Sequence, residues 1–147
     1  QFIIFYNNNI MNETTNHDLA LLCSKRNIQL NGIYNAQTIE ELEEGNTILN
    51  LNGHSHWTCV IKTKDKCVYF DSFGLPPPLR ICQMMGDYTY SPKEIQALNS
   101  SSCGFYCVAC LQFMKGKTDD RRFLIFQNFF NDEYLNNEMV LKRFFNF

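Results

Sequence analysis

The sequence predicts an α+β protein in which helices flank a central, mostly antiparallel sheet. Two β-type runs, 57–62 and 67–72, are joined by Thr63-Lys64-Asp65-Lys66, a pattern typical of a hairpin. Both runs are apolar on both faces, which favours the middle of a sheet covered on its two sides. Several other segments repeat apolar residues at helical spacing and supply the flanking helices.

The composition indicates a folded chain with one core. A length of 147 residues fits a single domain over 1–147, and 45% hydrophobic residues exclude a disordered protein. A net charge of −2 without a long single-sign run gives no support for a nucleic-acid or membrane partner. The apolar runs are too short for a membrane span, and residues 1–6 lack the basic start of a signal peptide. We expect a monomer.

The cysteine content predicts a reducing compartment. Seven cysteines are an odd number, and they lie within apolar strings rather than in loops. This usage favours free thiols over a disulfide framework.

The N-terminal half carries signals for one helix and two strands. Thr15, with Asp18 three residues later, is typical of a helix N-cap, and apolar spacing continues to about Lys25. Runs 2–6 and 46–51 have the composition of strands.

Loops and further elements complete the prediction. Asn31-Gly32 predicts a turn, 40–44 is an acidic solvated helix or loop, 73–78 is a rigid proline loop, and 87–90 is a strand. Two C-terminal helices are predicted, capped at 118–120 and at 131–133. Their apolar faces are Phe123, Phe126, Phe129 and Phe130 in the first, and Leu135, Met139, Leu141, Phe144 and Phe145 in the second.

A candidate nucleophile lies at the start of a further helix. Cys103, Cys107, Cys110 and Met114 recur on one helical face, which predicts a helix from Cys103 to about Lys115. Partial positive charge and free N–H groups at a helix N-terminus favour thiolate over thiol. Cys103 therefore qualifies as a nucleophile, whereas Cys107 and Cys110 are packing residues. A core role for Cys103 is the alternative unless a base and an oxyanion donor are found.

The hairpin supplies the base. A two-residue turn at 63–64 sets His56 directly opposite Asp71, and a four-residue turn slips the pairing but keeps them neighbours. We expect the carboxylate to accept Nδ1–H, so that Nε2 faces Cys103. A plain surface hydrogen bond is the alternative for this pair, and His54 is the alternative base.

A metal site is a weaker interpretation of the same residues. His54 and His56 with Cys59 or Cys67 would suggest zinc, as would Cys107 with Cys110. Neither set forms a paired zinc framework, so we predict no metal and no cofactor.

The candidate residues follow a recognisable order along the chain. His56-Trp57, Asp71 within 68–74, Gln96 and then Cys103-Gly104 resemble the signature of adenain-clan cysteine proteases. That clan includes the adenovirus maturation protease and, more distantly, the SUMO-specific proteases. The resemblance covers about 18–114, and 18–34 and 45–50 look similar to the shorter proteases of virophages and Polinton-type transposons.

The resemblance implies an adenain-like fold and a role for each motif residue. Cys103 resembles the nucleophile, His56 the base and general acid, and Asp71 the group that orients His56. Gln96 resembles the oxyanion-hole donor, acting with the backbone N–H of Cys103.

Two neighbouring residues resemble parts of the substrate cleft. Gly104 would leave room for substrate backbone, and Trp57 would line the cleft, with an ordinary core tryptophan as the alternative.

The implied activity is a thiol endopeptidase that cleaves viral capsid precursors during virion maturation, near small residues such as glycine. It would act in the host cytoplasm or virus factory and in the virion. Adenovirus proteases use DNA and a capsid-derived peptide as activators. The charge here does not support DNA, and a peptide activator stays open.

Two other functions remain as alternatives. A deubiquitinase or deSUMOylase would use the same four residues, and a non-catalytic protein of this fold would bind capsid protein as a scaffold.

Overall fold

A computed structural model describes residues 14–51 and 56–146. The described residues form five strands and five helices. The strands are β1 (Leu30–Asn35), β2 (Gly45–Leu51), β3 (His56–Lys62), β4 (Cys67–Phe70) and β5 (Tyr88–Tyr90). The helices are α1 (Asn16–Lys25), α2 (Leu79–Met85), α3 (Cys103–Met114), α4 (Asp120–Gln127) and α5 (Tyr134–Phe144). The strand predicted at 2–6 lies outside the described residues. No helix in the described ranges is long and apolar enough to cross a membrane.

The five strands form one sheet in the order β1-β2-β3-β4-β5. The two central pairings, β2–β3 and β3–β4, are antiparallel. The two outer pairings, β1–β2 and β4–β5, are parallel. The α+β prediction is confirmed, but the sheet is mixed rather than mostly antiparallel. Parallel neighbours need a crossover connection, which 36–44 provides for β1–β2 and the segment with α2 provides for β4–β5.

The β3–β4 hairpin lies inside the sheet with both faces covered. Cys59 and Ile61 of β3 face a large core with residues from α1, α3, α4 and α5. Val60 faces a smaller core on the other side, together with residues of α2 and of 36–42. Successive strand residues point to opposite faces, so a strand covered on both sides must be apolar throughout. The predicted central position of the hairpin is confirmed.

Two predicted helix ends are confirmed in detail. Thr15 Oγ1 accepts a hydrogen bond from Asp18 N at 3.1 Å, and the Asp18 carboxylate accepts one from Thr15 N at 3.0 Å. This reciprocal capping box starts α1. Helix α3 ends where Lys115 adopts the left-handed conformation, with φ of 53°, and Gly116 follows with φ of 73°. A glycine tolerates that conformation at little cost and stops the helix.

The predicted turn at Asn31-Gly32 is wrong, because both residues lie within β1. The Asn31 side chain donates to the carbonyl oxygens of Glu43 and Glu44, at 3.2 and 2.8 Å. It therefore fixes the acidic segment instead of bending its own chain. The glycine that suggested a turn instead marks an irregularity within the strand, because the β1–β2 register shifts between Leu30 and Gly32.

The predicted apolar face of α5 is wrong in part, and α2 was not predicted. Leu135 is 84% exposed and Met139 is 57% exposed, whereas Leu141 and Phe145 are buried. Helix α5 instead turns the polar Asn137 inward, and this side chain is fully buried. Its inward face is thus defined by hydrogen bonds as well as by apolar contacts.

Substitution of Phe126 by alanine should destabilise the fold strongly. Its buried ring contacts the rings of Phe70, Phe113, Phe130 and Phe144, with centroids 5.4–6.0 Å apart. Removing a buried phenylalanine costs about 3–5 kcal/mol, and this should appear as a lower urea midpoint. Leu124→Ala in the same helix is the control, because Leu124 is 54% exposed. Equal losses in the two variants would contradict the described core.

Candidate active site

The packing of α3 on β3 brings Cys103 close to His56. Further along both elements, the Cys59 thiol on β3 contacts the Cys107 carbonyl on α3 at 3.9 Å. Cys103 lies one helical turn before Cys107, and His56 begins β3. The Cys103 thiol is a side-chain hydrogen-bond partner of the His56 imidazole, so the two groups meet where α3 and β3 begin.

A buried hydrogen bond joins His56 to Asp71. His56 Nε2 lies 2.7 Å from Asp71 Oδ1, and the same oxygen accepts the backbone N–H of Phe73 at 2.8 Å. His56 is 6% exposed and Asp71 is 1% exposed, so the alternative of a surface hydrogen bond is wrong. The expected ring orientation is also wrong, because the carboxylate binds Nε2 and not Nδ1. Nδ1 is buried, without a hydrogen bond of standard geometry among the described residues.

The turn after β4 sets the geometry of this pair. Lys62 pairs with Cys67, so the hairpin connection has four residues and the two-residue turn is wrong. The β3–β4 pairing ends at Cys59 and Phe70, and Asp71 opens a turn in which Gly74 N donates to the Asp71 carbonyl at 2.8 Å. The rings of Phe73 and His56 stack at 4.2 Å with an angle of 11°. Phe73 therefore fixes the plane of the imidazole, a role that sequence reasoning missed although an aromatic residue right after the strand hinted at it.

The surroundings of His56 favour its charged form. Burial by itself lowers the pKa, but the Asp71 hydrogen bond, the Cys103 thiol and the charges of both groups outweigh it and raise the pKa to about 9. His56 therefore carries its second proton at neutral pH. Since Asp71 occupies Nε2, Nδ1 is the nitrogen available to the Cys103 sulfur.

Gln96 is fully buried and held at both ends of its amide. The Ser72 hydroxyl donates to Gln96 Oε1, and Gln96 Nε2 donates to the Ser100 carbonyl at 3.0 Å. A carbonyl only accepts, so the amide N–H₂ must face Ser100. Among the described residues Ser100 O is its one acceptor, which leaves one N–H proton for another oxygen. Ser72 follows Asp71 directly in the chain. The end of the hairpin therefore orients His56 through Asp71 and Gln96 through Ser72.

Trp57 and Gly104 lie in the interior. Trp57 is 2% exposed, and its indole N–H donates to the Thr14 carbonyl at 3.3 Å. A Cβ on Gly104 would lie 2.3 Å from the Thr14 hydroxyl oxygen and 2.9 Å from Leu19 Cδ2. The space expected beside Gly104 for a substrate is thus filled by the start of α1. A glycine is needed here for close packing.

An open groove borders the site at Asp71. Its volume is about 490 Å³, and it lies at the ends of β1 and β2 beside the proline loop. Its lining combines apolar with polar residues: Ala36, Gln37, Leu51, Asp71, Leu75, Pro76, Pro78 and Arg80. Leu51 also pairs with His56 across β2 and β3, so the groove reaches the edge of the candidate site.

The other residues singled out in the sequence are Cys107, Cys110, the possible metal ligands and His54. Burial raises the pKa of the Cys107 and Cys110 thiols well above the usual value, so both stay protonated core residues. All seven thiols are free. No cluster of three or more metal-ligating side chains occurs within 14–51 and 56–146. His54, the alternative base, lies outside the described residues.

Comparison with known proteins adds no assignment. No model of a known protein family matches the chain, and no curated protein matches it.

Removal of the Asp71 charge should lower the pKa of His56. The carboxylate stabilises the imidazolium, and loss of an adjacent opposite charge shifts a pKa by about 1–3 units. In Asp71→Asn, NMR titration of the His56 ring should therefore show deprotonation well below the value of about 9 in the unsubstituted protein. His56→Gln assigns the resonance. Asp65→Asn removes an exposed hairpin charge as the control, and an equal shift there would contradict a specific contact.

Proposed function

We propose that this protein is a cysteine endopeptidase that cleaves viral capsid precursors. The observation that carries the proposal is the buried His56–Asp71 hydrogen bond, which leaves the second imidazole nitrogen for a thiol at the start of α3. The raised pKa of His56 supports a thiolate–imidazolium pair with Cys103. The order His56, Asp71, Gln96, Cys103, which resembles adenain-clan proteases, supports the choice of peptide bonds as substrate.

The proposed reaction is acyl transfer through a thioester. The Cys103 sulfur attacks the peptide carbonyl carbon, and His56 delivers its Nδ1 proton to the leaving nitrogen as the C–N bond breaks. Water then attacks the thioester and gives a proton back to His56, and cleavage of the C–S bond restores the thiolate. Throughout the reaction the Asp71 carboxylate keeps its hydrogen bond from Nε2–H and stabilises the imidazolium.

Gln96 is the proposed donor to the developing oxyanion. Its remaining N–H proton and the backbone N–H at the start of α3 would share the negative oxygen. Both donors are neutral, so they stabilise the oxyanion without lowering the reactivity of the thiolate. The bonds from Ser72 and to Ser100 support this role, because a donor held in advance costs little reorganisation during the reaction.

Burial of the site bears on the choice of substrate. Cys103 is 4% exposed, so a peptide can reach its sulfur only through a narrow approach. A narrow approach favours glycine or another small residue beside the scissile bond. The proposed setting is the host cytoplasm or virus factory and the virion, where the free thiols would stay reduced.

Cys103→Ala and His56→Ala should each abolish peptide cleavage. A proteome-derived peptide library and a co-expressed capsid precursor serve as substrates, with mass spectrometry to locate the cut bonds. Loss of the nucleophile or its base typically costs about 10⁶-fold in turnover, because the two act as one unit. Cys82→Ala, at a half-buried thiol outside the site, should cleave as the unsubstituted protein does.

Iodoacetamide at neutral pH provides a second measurement. It should label Cys103 first, and the labelling should slow in His56→Ala. Processing that continues in both alanine variants would overturn the protease assignment. Capsid binding without cleavage would identify a scaffold, and capture by a ubiquitin vinyl sulfone with no capsid cleavage would identify a deconjugase.

Gln96→Ala should slow hydrolysis while sparing alkylation. Loss of one oxyanion donor lowers turnover by about 10²–10³-fold. Iodoacetamide alkylation develops no oxyanion, so its rate at Cys103 should stay the same. The measurement is the ratio of the two rates. Gln83→Ala, an exposed residue of α2, should leave the ratio unchanged, and parallel loss of both rates in Gln96→Ala would contradict the assigned role.

A further inference from the structure

The segment 95–102 carries Gln96 and leads into Cys103, yet it contains no helix or strand. Within it, Ser100 N donates to the Ala97 carbonyl at 2.9 Å, and Gln96 Nε2 donates to the Ser100 carbonyl at 3.0 Å. Its N-terminal end is held by the Ser72 carbonyl, which accepts Ile95 N and Gln96 N at 3.0 and 3.2 Å. Other hydrogen bonds, with helix α5, also hold the segment.

Helix α5 binds this segment through two consecutive polar residues. The first, Asn137, is fully buried, and its amide donates to the Ile95 carbonyl at 2.9 Å and to the Asn131 carbonyl at 2.7 Å. Its Oδ1 accepts Asn131 N at 2.9 Å. The amide thus ties the start of α5 to the residue before Gln96.

The second residue, Glu138, binds three hydroxyl groups. Its carboxylate accepts Ser102 Oγ–H at 2.5 Å and Tyr106 O–H at 2.8 Å, and Ser100 Oγ lies 3.5 Å away. Burial raises the pKa of the Tyr106 hydroxyl most, and the Glu138 charge raises it further. This phenol therefore stays protonated and remains a donor. Hydrogen bonds to a charged acceptor are stronger than those between neutral groups.

The Ser102 contact changes the start of α3. Ser102 is the N-cap residue, but its side chain makes no capping hydrogen bond. A serine at this position ordinarily accepts an N–H of the first helical turn. Because the Ser102 hydroxyl donates to Glu138, it does not cap the backbone N–H groups at the start of α3.

We propose that Glu138 is a positioning residue that holds Ser100 and Ser102 so that Gln96 and the backbone N–H of Cys103 converge on one oxygen. This inference rests on the proposed protease function and assigns α5 a role in it. Glu138 touches neither the thiol nor the imidazole, so it acts on the oxyanion donors and not on the Cys103–His56 pair.

The test compares hydrolysis with alkylation in Glu138 variants. Glu138→Ala should lower kcat by about 10-fold or more with little change in KM, because small displacements of catalytic donors are costly. Alkylation of Cys103 by iodoacetamide should keep its rate. Glu138→Gln should recover most of the activity, since an amide still accepts from Ser102 and the phenol oxygen of Tyr106 can accept its N–H.

Two controls separate positioning from general destabilisation. Met139→Ala alters the neighbouring exposed residue of α5 and should change neither rate. Ser102→Ala removes a smaller group and should lower kcat as well, and the double variant with Glu138→Ala should lose little more than the single variants do, because both act through one contact. Thermal unfolding monitors folding in every variant.

The outcomes separate failure of the Glu138 role from failure of the proposed protease function. An active unsubstituted protein with an equally active, folded Glu138→Ala variant would overturn the role of Glu138 alone. Parallel loss of hydrolysis and alkylation would overturn it too, in favour of a purely structural contact. If the unsubstituted protein cleaves no peptide, the protease function fails, and the positioning role fails with it.

Discussion

The hydrogen bond between His56 and Asp71 is the interaction on which the rest of the site depends. Burying a carboxylate and an imidazole is costly unless they pair, and here they meet at 2.7 Å with almost no exposure. Asp71 also accepts the Phe73 N–H, and the Phe73 ring stacks on His56. The imidazole is therefore fixed in position and plane, which leaves one nitrogen for a partner from another element.

That partner comes from the opposite layer of the molecule. Helix α3 is apolar almost all round because it is enclosed between the sheet and the helices α1, α4 and α5. Its buried position sets Cys103 against the end of β3. The same packing that stabilises the core thus determines the distance between thiol and base, so core and site cannot vary independently.

The polar residues around Gln96 form a second dependent layer. Ser72 holds the amide from the hairpin side, and Asn137 and Glu138 hold the adjoining segment from α5. Ser72 and Asn137 donate hydrogen bonds to this segment and Glu138 accepts them from it, although the segment has no regular structure of its own. Irregular backbone in the interior is stable only when its polar groups are paired in this way.

Local signals in the sequence sufficed for much of the fold and for the candidate residues. The Thr15–Asp18 capping box, the doubly apolar hairpin and the stripe that begins at Cys103 depend on neighbouring residues, and each was predicted from them. The order of His56, Asp71, Gln96 and Cys103 was likewise visible in the chain. These features could be predicted because their physical cause lies within a few residues.

Only the tertiary structure decided how those residues meet. The hairpin has a four-residue connection instead of a two-residue turn, and Asp71 meets Nε2 of His56 instead of Nδ1. The parallel outer strands depend on crossovers, and the inward Asn137 and Glu138 depend on a segment some forty residues away. Contacts between distant segments leave no local periodicity, which is why α5 looked apolar where it is exposed. The sequence thus determined which groups are available, and packing determined which atoms face one another.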